Sequence, residues 1–180
     1  MFISEKWFRM ENSNKVTQFI SKSVKGLHQT LFNDMNGLTK ENLVWAPNKD
    51  ANPIGFIFLH FLRTEDNLVN DIKGEPSIWD STKFREDLPD FGRSDKFSTE
   101  VIKFLSQIPL KEVLLYGHKV VDNTDLFLES LDDIQLRTRP ETKGPLRTIE
   151  TIFRAFILAH GWWHIGEIKY IKGLQNINNT

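Results

Sequence analysis

Cysteine is absent from the 180 residues. That excludes a disulfide scaffold, a thiolate zinc site, an iron–sulfur cluster and a cysteine nucleophile. Any transition metal held by this chain must take imidazole or carboxylate ligands. A surplus of charge of one sign is also missing: 23 Lys and Arg stand against 24 Asp and Glu, for a formal net charge of −1. Duplex nucleic-acid binders draw affinity from phosphate neutralisation and carry a basic excess, so nucleic acid is not an expected partner. Nor is there a long hydrophobic run. The longest, Ile54 to Leu62, has His60 inside it and is less than half of the roughly 20 residues a membrane span needs. The first fifteen residues, MFISEKWFRMENSNK, mix charged with apolar side chains and contain no signal-peptide core. The chain therefore reads as soluble and cytoplasmic, with no membrane partner.

What is present is core material. Hydrophobic residues make up 39% of the chain, with 14 Phe and 5 Trp, enough for one folded domain over 1–180. The apolar spacing is helical, and no pair of alternating β-branched runs suggests a hairpin. A first helix is expected over about 12–35, where Val16, Phe19, Ile20, Val24, Leu27 and Leu31 recur at three- and four-residue intervals. Asn36-Gly37 is a suitable stop. Leu38 to Trp45 then reads as a connection that drops Leu43 and Trp45 onto the core. A second helix is expected over 53–72, with Asn52 as cap, Pro53 at the first helical position and Gly74 and Pro76 as the end. Residues 73–97 are rich in Gly, Pro, Asp and Ser and read as a long connection of the kind that shapes pockets. A short helix near 99–107 leads to a third long one over 109–131, and a fourth is expected over 148–171 with Thr148 as cap and Gly173 as stop. Four long helices predict an all-α four-helix bundle. The second and third connections are long enough for a crossover. Residues 1–11 form an N-terminal extension whose Trp7 and Phe8 suggest docking.

The strongest local feature is HGWWHIGE, His160 to Glu167. Two histidines four apart lie about 40° apart around a helix and about 6 Å along it, on one face, where they can chelate one ion. Ile149, Phe153, Phe156, His160, His164 and Ile171 step along one side, so the pair interrupts an apolar stripe. His60 projects from the most apolar part of the second helix. Three imidazoles with an open fourth position form a common catalytic metal site, although each of these histidines can equally be a core residue bonded to a carbonyl or carboxylate. Position 161 is Gly where zinc proteases need a glutamate base, and the Glu-x-x-His pairs of di-iron bundles are missing. Glu167 is either a partner that orients His164 or a solvated carboxylate. Glu65 and Asp66, beyond His60, are expected to be solvated. Of the adjacent Trp162 and Trp163, at most one lines the histidine face and the other packs on a neighbouring helix or a second subunit. His28 and His118 have no paired neighbour in sequence.

Three stretches resemble the DinB-like superfamily of four-helix bundles, which also holds the YfiT-type metal-dependent hydrolases and thiol-dependent S-transferases and isomerases. They are LTKENLVWAPNKDANPIGFIFLHFLRTEDNLVND, PLKEVLLYGHKVV and FILAHGWWHIGEIKYIKGL, the last carrying the pattern H-x3-H-x-G-E/Q-I/L. The likeness spans about residues 15–174. It implies a metal triad of His60, His160 and His164 for zinc, nickel or a similar divalent ion, a bundle with a long crossover, and frequent homodimers. It also implies hydrolysis, or transfer with a low-molecular-weight thiol such as bacillithiol, mycothiol or glutathione, on a small-molecule substrate. The alternative is a non-catalytic binding or stress-response module, its metal site structural or vestigial, with the fourth position blocked by Glu167, Trp163 or a loop side chain.

Overall fold

The computed structural model describes residues 14–82, 99–141 and 147–177. Among these the chain is helical and has no strand, as the spacing predicts. Four long helices make the frame. α1 is Lys15–Met35, α3 is Ile54–Lys73 and α6 is Leu110–Ser130. α8 comprises Ile149–Ile152, a π-helical stretch Phe153–Ala159, and His160–Leu174. Between them lie α2 (Lys40–Val44), α4 (Ile78–Ser81), α5 (Thr99–Gln107) and α7 (Asp133–Leu136). The expected extension 1–11 and residues 83–97 of the long connection lie outside the described residues.

Several ends follow local chemistry. Gly74 closes α3 in the left-handed conformation at φ 69°, its N–H donating to the carbonyls of Asn70 and Asp71. Thr148 caps α8, its hydroxyl accepting from the Thr151 N–H at 3.2 Å. Two expected ends are corrected. Pro53 is itself the cap of α3, with ψ 158°, and its carbonyl accepts the first helical N–H, from Ile57; Asn52 stands outside. α8 runs through Gly173 to Leu174, and the left-handed residue is Asn176 at φ 56°. The first and third connections each contain a helical turn, because each supplies its own capping box: Thr39 with Asn42 starts α2, and Asp132 with Gln135 starts α7.

Paired residues give the directions of the long helices. α1 and α8 run parallel: Leu27 lies beside Gly161, and Lys169 and Lys172 reach Asp34. α1 and α6 run antiparallel, Lys25 meeting Glu129 and Phe32 stacking on His118. α3 and α6 run parallel, with Phe58 and Leu62 against Gly117 and Lys73 bonded to Asn123. The neighbours around the ring are thus α1, α6, α3 and α8, and consecutive long helices α1 and α3 face each other across the core. The order is up-down-down-up. The second connection must return the chain along the bundle, because it joins parallel neighbours.

The core is apolar, built from residues such as Val24, Leu27, Leu31, Phe58, Phe61, Leu62, Val120, Phe153, Ile157 and Ile168. Two residues expected to contribute do not. Phe19 sits at the edge of its stripe and is exposed, and Trp45 keeps 38% of its surface in water while Leu43 is buried. Asp133 of α7 ties its connection to the bundle. Its carboxylate accepts from the N–H groups of Val16 and Thr17 and from the Thr17 hydroxyl, so it caps α1 from across the chain.

Candidate metal centre

The π-helical stretch sets where the histidines point. Its extra residue per turn shifts the phase of the helix beyond it, so the buried line of α8 is Ile149, Ile152, Phe153, Ile157, Gly161, Ile165, Ile168, Ile171 and Lys172. Phe156, expected on that line, is instead half-buried under the Arg147 guanidinium, 4.3 Å from its ring centre. His160 and His164 therefore do not interrupt the core stripe. They lie beside it and are half-buried, on the seam between α8 and α3. His60 reaches the same seam from α3, half-buried between the buried Leu59 and Phe61.

The three rings converge. One nitrogen from each of His60, His160 and His164 lies within 4.8 Å of the others, a grouping that could hold a metal ion. The His160 and His164 Nε2 atoms are 2.8 Å apart, and their ring centres 4.3 Å. His60 meets both edge-on, its centre 5.5 Å from His160 and 5.2 Å from His164. Zinc at about 2.0–2.1 Å from each nitrogen separates tetrahedral ligands by about 3.3 Å, so the close pair would open by roughly half an ångström. Imidazole nitrogens are suitable donors for zinc, nickel, copper or iron, and the donor set fits. Among the described residues no fourth side chain joins the group.

Glu167 has the orienting position rather than a solvated one. Its Oε2 lies 2.6 Å from His164 Nδ1. With the proton on Nδ1, His164 donates to Glu167 and keeps a lone pair on Nε2 facing the other histidines, which is the tautomer a ligand needs. Phe56 stacks flat on His60 one turn earlier in α3, with ring centres 5.8 Å apart. His160 is pushed down from 6.5 to about 4, first by burial and then by the neighbouring His164 and His60; the Phe156 carbonyl and Glu167 oppose this only in part. At neutral pH it is an uncharged donor.

Gly161 is what lets these helices approach. A Cβ there would fall 2.7 Å from Leu27 and 2.8 Å from the Phe61 ring. The residue that rules out a protease-type glutamate is thus the contact point of α8 with α1 and α3, next to His160 and opposite the neighbour of His60.

Other candidates are placed elsewhere. Glu65 and Asp66, expected in solvent, are fully buried. Asp66 accepts from the N–H groups of Ile78 and Trp79, the Tyr116 hydroxyl and the Asn70 amide, and so anchors α4. Their phase was readable: Glu65 is four residues after Phe61 and Asp66 four after Leu62, both core positions. His28 is buried against Glu65, and His118 is exposed and stacked on Phe32. Neither joins the triad. Trp162 and Trp163 are both exposed, at 47% and 72%. Trp162 borders a groove of about 540 Å³ between α1 and α8, with Val16, Phe19, Ile20 and Leu158, that does not include the histidines. No described helix is long and apolar enough to cross a membrane.

No family model and no curated protein matches this chain. A crystal structure described as the conserved protein of locus from Enterococcus faecalis is similar to it, with a TM-score of 0.71 and 21% identity, covering 88% of this chain and 95% of that one. At that identity the likeness is one of fold.

Proposed function

We propose that the chain is a metal-dependent enzyme of the DinB-like kind, in which His60, His160 and His164 hold a divalent ion, zinc or nickel, for chemistry on a small molecule. The observation that carries this reading is the convergence of three imidazoles from two helices, without a fourth protein ligand among the described residues. Structural sites use four protein ligands, whereas catalytic ones use three and leave a position for water or substrate. A divalent ion in such a site supplies a Lewis acid that lowers the pKa of a water or thiol and polarises an electrophile. The chain's own part is to orient the ligands, through Glu167 on His164, and to keep His160 uncharged. Two side chains that were candidates to block the fourth position are turned elsewhere: Glu167 to His164 Nδ1, and Trp163 to solvent. That favours the catalytic reading over a vestigial site. With no cysteine in the chain, a thiol reaction must take its sulfur from a low-molecular-weight cosubstrate; hydrolysis needs none.

The test is elemental analysis of untagged protein, purified without a metal column, beside His160→Ala. About one equivalent of zinc or nickel in the wild type and its loss in the variant is expected. Equal, substoichiometric metal in both would sink the reading. Assay of the metal-replete protein with a thiol and an electrophile, and separately with ester or amide substrates, divides transferase from hydrolase.

A further inference from the structure

A second histidine site lies inside the bundle, built from helices that the metal centre does not combine. His28 of α1, Glu65 of α3 and Asp125 of α6 meet there. His28 retains 3% of its surface and Glu65 none. His28 Nε2 is 3.0 Å from each carboxylate oxygen of Glu65, and Nδ1 is 3.9 Å from Asp125 Oδ1. The two ring nitrogens of an imidazole lie on opposite edges. A single cation cannot be bound by this ring and both carboxylates together, so the arrangement is not a metal site. Only an imidazolium has a donor on both edges. A neutral ring protonated at Nε2 would keep the Glu65 contact but turn a lone pair toward the half-buried Asp125, which stands at ion-pair rather than hydrogen-bond distance, so it is the second carboxylate that favours the doubly protonated form.

The surrounding charges agree. Burial works against a charged His28, but Glu65 by charge and hydrogen bond, followed by Asp125 by charge, outweighs it and raises the group above its ordinary range. Lys25, one turn earlier on α1, is committed to Glu129 of α6 at 2.7 Å and lies at the surface. Asp66, beside Glu65 on α3, is saturated by the N–H groups of α4, Tyr116 and Asn70. Arg63 of α3 lies over the Trp79 ring at 4.1 Å. α8 meets α1 at this level with Gly161 against Leu27.

We propose that His28, Glu65 and Asp125 form a charge clamp in which a doubly protonated His28 ties α1 to α3 across the core and to α6, and that this clamp releases as pH rises. It is independent of whether the other three histidines bind metal. Its two ends sit on α1 and α3, one of the two pairs of long helices that face each other without sharing a side of the ring. The clamp is therefore a polar link across the middle of the bundle. Its sign is set by linkage. A histidine raised in the folded state contributes fully below its unfolded value of about 6.5, and the contribution is lost as pH rises through the higher folded value.

The experiment is side-chain nitrogen NMR on the full chain from about pH 5 to pH 10, with His28→Gln used to assign the resonance. Both His28 nitrogens are expected to carry protons at the acid end of the range, with a midpoint above the ordinary 6.5 or so. Glu65→Gln is expected to lower that midpoint by a unit or more. In urea, the wild-type midpoint should fall with rising pH over the same window, and Glu65→Gln should lose that slope. A single proton on the ring at the acid end, or a midpoint at or below the ordinary value, overturns the proposal. Equal slopes in the two proteins also overturn it. If Glu65→Gln does not fold, the wild-type titration decides alone.

Discussion

Gly161→Ala is the sharpest test of how packing sets the histidine centre. The new Cβ would meet Leu27 Cδ2 at 2.7 Å and the Phe61 ring at 2.8 and 2.9 Å. Ordinary carbon contacts are about 3.5–4.0 Å, so the neighbours must move by roughly 1 Å. Neither can swing into solvent, since Leu27 is fully buried and Phe61 nearly so. α8 must move away from α1 and α3 instead. Overpacking of this kind costs about 1–3 kcal/mol, while replacing a mid-helix glycine by alanine returns up to about 1 kcal/mol. A net loss of about 1–2 kcal/mol is expected, which at a urea slope near 2 kcal/mol/M lowers the midpoint by about 0.5–1 M. The effect on metal binding should be larger still. His160 adjoins the wedge on α8 and His60 adjoins Phe61 on α3, whereas metal–ligand distances tolerate only about 0.2 Å. Affinity for zinc, measured by competition with a chromophoric chelator, should fall by more than about tenfold, comparable to loss of an orienting partner. Gly166→Ala is the control. It lies on the same helix with nothing within 4 Å of its Cβ, so it should raise stability by up to about 1 kcal/mol and leave zinc binding unchanged. Wild-type stability and affinity in Gly161→Ala would refute the argument, as would loss of zinc in Gly166→Ala.

Glu167→Ala should weaken zinc binding by about 10–100-fold without unfolding the protein, because it removes the carboxylate 2.6 Å from His164 Nδ1; Glu167→Gln, which can still accept, should recover part of the loss in the same competition assay. In chelator-stripped protein, His160 adds a pH dependence opposite in sense to that of His28. Its folded value is lowered from 6.5 to about 4, so the unfolded chain takes up a proton first and stability falls as pH drops through that window. Urea midpoints in EDTA should show this decline, and His160→Gln should flatten it; an unchanged slope would contradict the assigned environment.

Much of the frame was legible because its signals are local. Capping chemistry and spacing placed α1, α3, α6 and α8, and the left-handed Gly74 ended α3 where expected. The grouping of His60, His160 and His164 was legible too, since two apolar helices each carried imidazole beside the core. What failed was phase. A constant 3.6-residue count carried Phe156 and both histidines onto the core line, because a π-helical stretch leaves no clear compositional mark in Phe153–Ala159. The burial of Glu65 and Asp66 failed for a different reason. Their positions fit the core face of α3, but acidic residues were assumed solvated, and the partners that offset the cost of burial come from far away in sequence: His28, Tyr116 and the N–H groups of α4. Trp162 and Trp163, at 47% and 72% exposure, are not covered by a described helix, and single exposed aromatics are common on folded surfaces.

The two buried histidine environments make opposite demands on one side-chain type. His28 faces a carboxylate at each ring edge, 3.0 Å from Nε2 and 3.9 Å from Nδ1, an arrangement that favours the protonated form. His160 faces two other imidazoles and little countercharge, an arrangement that penalises protonation. His160 and His164 share one Nε2–Nε2 contact, so without a cation between them one nitrogen must donate to the other. With Glu167 holding the His164 proton on Nδ1, that donor has to be His160 Nε2, and its Nδ1 is left as the basic atom. His160 and His164 would resolve this conflict by turning the lone pairs of their facing Nε2 atoms to a shared cation, with the His160 proton then on Nδ1, toward the Phe156 carbonyl that already raises its basicity. Zinc titration followed by side-chain nitrogen NMR should therefore show the His160 proton moving from Nε2 to Nδ1 while His164 keeps its tautomer. A His160 proton that stays on Nε2 at saturating zinc would mean that this ring is not a ligand through the atom assigned to it.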